Sequence, residues 1–141
     1  GDFTYEKFEQ RYNADLAGGI GNLLARTLGI KKDLELKQTA PRPPIKEKIK
    51  EEKEKCGLAI ENFKFNEALS SIWGLISFCD KYINEEKLWQ TKNPQVLSDL
   101  FAALNEISLM LAAFLPETSA KIEAAVKGGK SEILFPKLQE N

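Results

Sequence analysis

The sequence predicts an all-α fold, a helical bundle of four to five helices, on three observations. Apolar residues recur three and four positions apart through four long segments, the spacing of one helix face. No segment alternates apolar and polar residues strongly enough to form a sheet, and no internal repeat is present. A proline-rich stretch and a Gly-Gly pair mark boundaries between or after the periodic segments. The 141 residues suit a single domain, residues 1–141. A chain of that length buries roughly two-thirds of its unfolded surface.

The first periodic segment runs from about Tyr5 to Leu28, with Phe8, Tyr12, Leu16, Ile20, Leu23, Leu24 and Thr27 on one side and Gly29 as the expected C-terminal cap. Residues 31–44 read as a connector, because the Ala40-Pro41-Arg42-Pro43-Pro44 stretch is hostile to a helix interior. A second helix is expected from Ile45 to Asn62, its inward stripe being Ile45, Ile49, Cys56, Ala59, Ile60 and Phe63, interrupted by Glu52. The Lys/Glu run from Lys46 to Lys55 reads as its solvated face, with Glu51 and Lys55 a favourable i,i+4 pair. The third helix spans about Asn66 to Ile83, with Leu69, Ile72, Trp73, Ile76 and Cys79 inward. The fourth spans Pro94 to Leu115, with Asn93 as N-cap and proline at the first helical position. Pro116 opens a last short helix to about Val126, and residues 128–141 read as an extended tail packed back on the bundle.

Lysine and arginine total 20 and aspartate and glutamate 21, a net charge of -1, which argues against coating nucleic acid by charge alone while allowing a local basic patch. The chain has no histidine, which removes the Ser-His-Asp and Cys-His arrangements and most metal sites. Cys56 and Cys79 fall on apolar stripes and read as free, buried thiols. No window is apolar enough to span a membrane and no secretory signal opens the sequence, so a cytoplasmic protein without a membrane or DNA partner is expected. No GxGxxG, GxxxxGK[ST], HxxE or CxxC pattern occurs, so neither catalytic nor metal-ligating residues are assigned.

Two places carry residues suited to recognition. Arg11, Asp15, Gly18, Asn22 and Arg26 share one stripe opposite the apolar face of the first helix. Asn22 and Arg26 are i,i+4 neighbours, and an amide beside a guanidinium fork suits a base edge or a phosphate. Gly18 and Gly19 each lower helix propensity by about 1 kcal/mol, which points to a close approach by another helix or a ligand. The alternative is a plain solvent-facing surface. Trp89 lies in a polar connector flanked by Lys87 and Lys92, where it either stacks on an unpaired base or caps the end of the core.

The residues Arg11-Tyr12-Asn13-Ala14-Asp15-Leu16-Ala17, followed by Gly21-Asn22-Leu23-Leu24-Ala25-Arg26, resemble the opening helix of the anticodon-binding domain of the methionyl-tRNA synthetase family, which reads RYN-x-DLAN-x-LGNL-x-x-R. Gly1-Asp2-Phe3-Thr4 resembles the family's link from its catalytic domain. The stretch from Ala68 to Ile83 with Trp89, the LAAFLPETSAKI run ending at Ile122, and Leu134-Phe135-Pro136-Lys137 are similar to later family segments. The resemblance implies that Asn22, Arg26 and Trp89 contact a CAU anticodon, the tryptophan by stacking and the other two by hydrogen bonds, chiefly at the first base. Arg11, Asp15, Lys87 and Lys92 become supporting RNA contacts, and the partners implied are the tRNA anticodon stem–loop and the catalytic domain of the same synthetase. The family's HIGH and KMSKS signatures are not found, so the Rossmann catalytic domain is expected to lie outside this chain, together with its ATP, methionine and metal ion; no cofactor is expected here. The sequence departs from the family at Gly18-Gly19 (often Asn-Asp), Asp80 (often Asn), Leu88 (often Pro) and Ala113 (often Pro). A related class I synthetase domain, for valine, isoleucine, leucine or cysteine, and a helical protein–protein interaction module remain the competing readings.

Overall fold

The computed structural model describes residues 19–31, 39–113 and 116–128. Among them the elements are α1 (Gly21–Lys31), α2 (Pro43–Glu61), α3 (Phe65–Glu85), α4 (Leu88–Thr91), α5 (Pro94–Leu111) and α6 (Pro116–Gly128). They form one all-α bundle, as expected. α2 and α3 form an antiparallel hairpin, α5 packs against both, α6 packs on α5, and α1 lies across α5 and α3. The shared core includes Leu23 and Leu24 of α1, Ile45 of α2, Leu69, Ile72 and Leu75 of α3, and Leu97, Leu100, Phe101 and Leu104 of α5.

The expected α5 start holds in detail. Asn93 accepts from the Gln95 backbone N–H at 2.9 Å, and proline takes the first turn, where its missing donor costs nothing. The same logic corrects the connector: Pro43 and Pro44 belong to the first turn of α2. Gly29 is not a cap, because α1 continues through it to Lys31. α5 stops at Leu111, short of the Leu115 anticipated. Gly19 and Ile20 form a wider, π-type turn ahead of α1. A Cβ on Gly19 would meet Ile76 Cγ2 at 3.4 Å, so the close helix approach that its glycine suggested is with α3. Gly18, the start of the first predicted helix and the 128–141 tail beyond Gly128 lie outside the described residues.

Two stripe assignments on α2 change. Glu52 is buried, not solvated with the rest of the Lys/Glu run. The stripe Ile45, Ile49, Glu52, Cys56, Ala59 repeats every three to four residues, so position 52 faces α3 whatever residue occupies it. Its carboxylate lies against Gly74, where a Cβ would collide with it, and Lys48 and Lys55 approach it at 3.9 and 3.4 Å. The expected Glu51–Lys55 pair forms at 2.9 Å. Phe63, assigned to the inward stripe, is 80% exposed. The helix ends two residues earlier and the chain turns left-handed at Phe63 (φ 56°), throwing the ring outward. Its N–H donates to the Ile60 carbonyl at 3.1 Å and the Lys64 N–H to that of Ala59 at 2.7 Å, the paired bonds of a Schellman stop with phenylalanine in the usual glycine position. Trp73, expected in the core, is only half-buried at its edge, and its indole N–H finds no acceptor among the described residues.

Cys56 and Cys79 are free and buried, and burial pushes both thiols upward, which keeps them protonated and unreactive. Among the described residues no helix is long and apolar enough to cross a membrane, and no group of three or more His, Cys, Asp or Glu is placed to hold a metal ion.

Candidate nucleic-acid interface

Arg26 and the turn that leads to Trp89 both meet the C-terminal end of α3. Asn22 and Arg26 are exposed, one turn apart on the outer face of α1. The Arg26 guanidinium reaches across to α3, donating through Nη2 to Asn84 Oδ1 at 3.0 Å and lying 3.7 Å from Asp80 Oδ1 through Nη1. Burial pushes the Asp80 carboxyl upward, and Arg26 draws it part of the way back.

Trp89 does not sit in an irregular connector. It stands on α4, a single turn bracketed by Lys87 and Lys92, both left-handed with φ 48°. That conformation costs a residue with a side chain about 1 kcal/mol or more, so the surroundings have to impose it. Leu88 imposes it from one side: fully buried, it anchors α4 into the core. It also occupies the first helical position, where the family's usual proline would be sterically at home. The turn into α4 hangs on α3, with the Glu86 N–H donating to the Tyr82 carbonyl at 3.0 Å and the Lys87 N–H to that of Asn84 at 3.3 Å. With Leu88 pointing in, Trp89 is turned out and left 48% exposed. The core-cap reading of the tryptophan therefore does not hold; a half-exposed indole on a pinned turn presents surface for a flat partner. Lys87 and Lys92 are exposed on either side of it. Arg11 and Asp15 lie outside the described residues.

Beneath this end is a polar network that sequence reasoning missed. Asp99 of α5 is fully buried. It accepts from the Arg42 backbone N–H at 3.1 Å, Arg42 Nε at 2.9 Å, Tyr82 Oη at 2.6 Å and Gln95 Nε2 at 2.9 Å. Arg42 also donates to Tyr82 Oη and stands 3.5 Å from Glu86 Oε1. Burial alone would push the Asp99 carboxyl upward; the bonds from Tyr82, Arg42 and Gln95 outweigh it and hold the group below the usual carboxylate range. Burial, reinforced by Asp99, pushes the Tyr82 phenol well up, so it remains a donor. Thr39 extends the network, its N–H donating to Ser98 Oγ at 2.9 Å. The network links the connector, the last turn of α3 and the first two turns of α5, and through Arg42 it reaches Glu86, the residue before the turn into α4. The one signal in the sequence was an aspartate embedded in the apolar run of α5.

Residues 45–141 match the family model for the anticodon-binding domain of tRNA ligase. The chain belongs to that family. This anticodon-binding domain is also similar to proteins named methionine–tRNA ligase: 36% identical over 140 residues to that of Clostridium perfringens (88% of this chain, 22% of the relative), 34% over 138 residues to that of Clostridium tetani (86% and 21%), and 30% over 130 residues to that of Methanopyrus kandleri (86% and 20%). The chain spans about a fifth of the length of these relatives. The family match includes α4 with Trp89 and begins after α1, so Asn22 and Arg26 of this anticodon-binding domain lie outside it.

Proposed function

We propose that this chain is the anticodon-reading module of a methionine–tRNA ligase and grips the CAU anticodon of methionine tRNA. The observation that carries the reading is the meeting of Arg26 and the turn into Trp89 on a single residue, Asn84, at an exposed end of the bundle. The names of the relatives support methionine as the amino acid. In this reading Trp89 stacks on an unpaired anticodon base, and Asn22 and Arg26 hydrogen-bond to the first anticodon base. Lys87 and Lys92, with Arg11 and Asp15 ahead of α1, support the RNA backbone and loop. The chain itself forms no bonds in the aminoacylation; it positions the tRNA for a catalytic domain of the same ligase, in the cytoplasm. ATP, methionine and a metal ion belong to that domain, and no cofactor is assigned to this chain.

The test is a titration with two labelled anticodon stem–loops, one carrying CAU and one changed only at the first anticodon base. Binding clearly weakened by that change is expected. Arg26→Ala should bring the two affinities together. Equal affinity of the wild-type chain for both loops, or none for either, would sink the reading.

A further inference from the structure

Arg26 is clamped as well as exposed. Its two terminal nitrogens engage Asp80 and Asn84, residues one turn apart on α3, while the remaining N–H donors have no protein partner among the described residues. The side chains of Arg26 and Asp80 are 40% and 37% exposed, and an ion pair of that exposure contributes little to stability. What it does supply is orientation, since an unrestrained arginine side chain samples many rotamers that the paired one does not. The backbone geometry favours the clamp: the close seat of Gly19 against Ile76 brings the chain onto α3 one turn before Asp80. Asn84 then acts twice, its side chain accepting from Arg26 and its backbone carbonyl accepting from the Lys87 N–H that opens α4. The positions of Arg26 and of the turn carrying Trp89 are therefore referred to the same residue.

We propose that Asp80 and Asn84 are positioning residues for anticodon reading, holding the Arg26 guanidinium in fixed register with Trp89 so that its remaining donors discriminate between bases. The proposal rests on the anticodon-reading function above. A loosened Arg26 still meets phosphate, which every anticodon loop offers, but loses the fixed geometry that a base edge requires. The predicted loss is therefore in selectivity more than in affinity. Removing the Asp80 charge also lessens general repulsion of RNA. That effect is common to both loops and cancels in the ratio of their affinities.

The experiment measures that ratio, CAU over UAU stem–loop, for the 141-residue chain. Asp80→Ala should lower it about fivefold, equivalent to ~1 kcal/mol. The same change made on an Arg26→Ala background should leave the ratio where Arg26→Ala alone puts it. Asn84→Ala, at an exposed position, should lower the ratio as well and serves if Asp80→Ala fails to fold. Glu85→Gln, an equal charge change on the same helix, should leave it unchanged. A wild-type ratio well above one that neither Asp80→Ala nor Asn84→Ala lowers overturns the positioning role and leaves the anticodon reading standing. An equal fall from Glu85→Gln, or a further fall on the Arg26→Ala background, overturns it too, by assigning the effect to general charge. A wild-type ratio of one overturns the anticodon reading and the proposal with it.

Discussion

At the N-terminal end of α3 a left-handed Phe63 presents an aromatic ring that is 80% exposed; at the C-terminal end left-handed Lys87 and Lys92 bracket a tryptophan that is 48% exposed. Both ends thus carry an unusual backbone conformation and a solvent-facing aromatic residue, but their surroundings differ. The first is a local helix stop, complete within residues 59–64, and the Phe63 ring has an edge-on contact with Phe65 at 6.3 Å. The second is held by residues from four parts of the bundle: Arg26 from α1, Arg42 beside the start of α2, Tyr82 and Asn84 of α3, and Asp99 of α5. Exposure and backbone strain do not by themselves mark a binding surface. What distinguishes the second end is its polar contacts between residues far apart in sequence.

The largest effect expected from breaking this comparison is at Asp99. Asp99→Ala leaves Arg42 and Tyr82 without their shared acceptor and should destabilise the chain by about 3 kcal/mol, read from chemical denaturation. The pH dependence follows from the same group. Its carboxyl titrates lower when folded than when unfolded, so its stabilising contribution is complete above the usual carboxylate range and is lost as pH falls below that range through the lower folded value. Asp99→Asn should therefore lower stability at neutral pH while flattening the acid limb of the stability profile; an unchanged acid limb would remove Asp99 from the account. Next in size, Trp89→Ala should weaken stem–loop binding by about 1–3 kcal/mol with little change in thermal midpoint, because half of the indole faces solvent. A large drop in midpoint would make Trp89 a structural residue and bring the two ends of α3 closer in kind. The smallest effect is at the other end. Phe63→Gly relieves the left-handed strain and should raise stability by up to about 1 kcal/mol without altering RNA affinity. Weaker binding in that variant would mean that RNA reaches the far end of the bundle.

What was legible in the sequence was what neighbours in sequence determine. The cap at Asn93, the helix start at Pro94 and the Glu51–Lys55 pair are all set within a turn or two. α4 was not legible, because four residues are too few to show a helical period and its flanking left-handed positions are lysines, without the glycine or asparagine that advertises such a turn. The Asp99 network was missed because its partner Arg42 lies 57 residues away. Glu52 stood out as an interruption of its stripe, but whether a buried carboxylate is tolerated there depended on Gly74 of another helix. Asn22, Arg26 and Trp89 owed their selection to resemblance as much as to pattern. Asp80 appeared as a departure from the family and takes its meaning from its contact with Arg26.

The long sequence separations at the C-terminal end of α3 also bear on the order in which the molecule is assembled. Arg26 meets Asn84 across 58 residues and Arg42 meets Asp99 across 57, whereas α2 and α3 are joined by residues 62–64 alone. Contacts near in sequence close first, because the chain entropy lost in closing them is smaller. In a chain growing from its N-terminus the α2–α3 hairpin can therefore pair before the second turn of α5, which carries Asp99, has left the ribosome. Arg42 has no acceptor at Asp99 until that turn emerges. The polar contacts at the end that carries Trp89 are thus completed after the α2–α3 hairpin has paired and before α6 docks on α5.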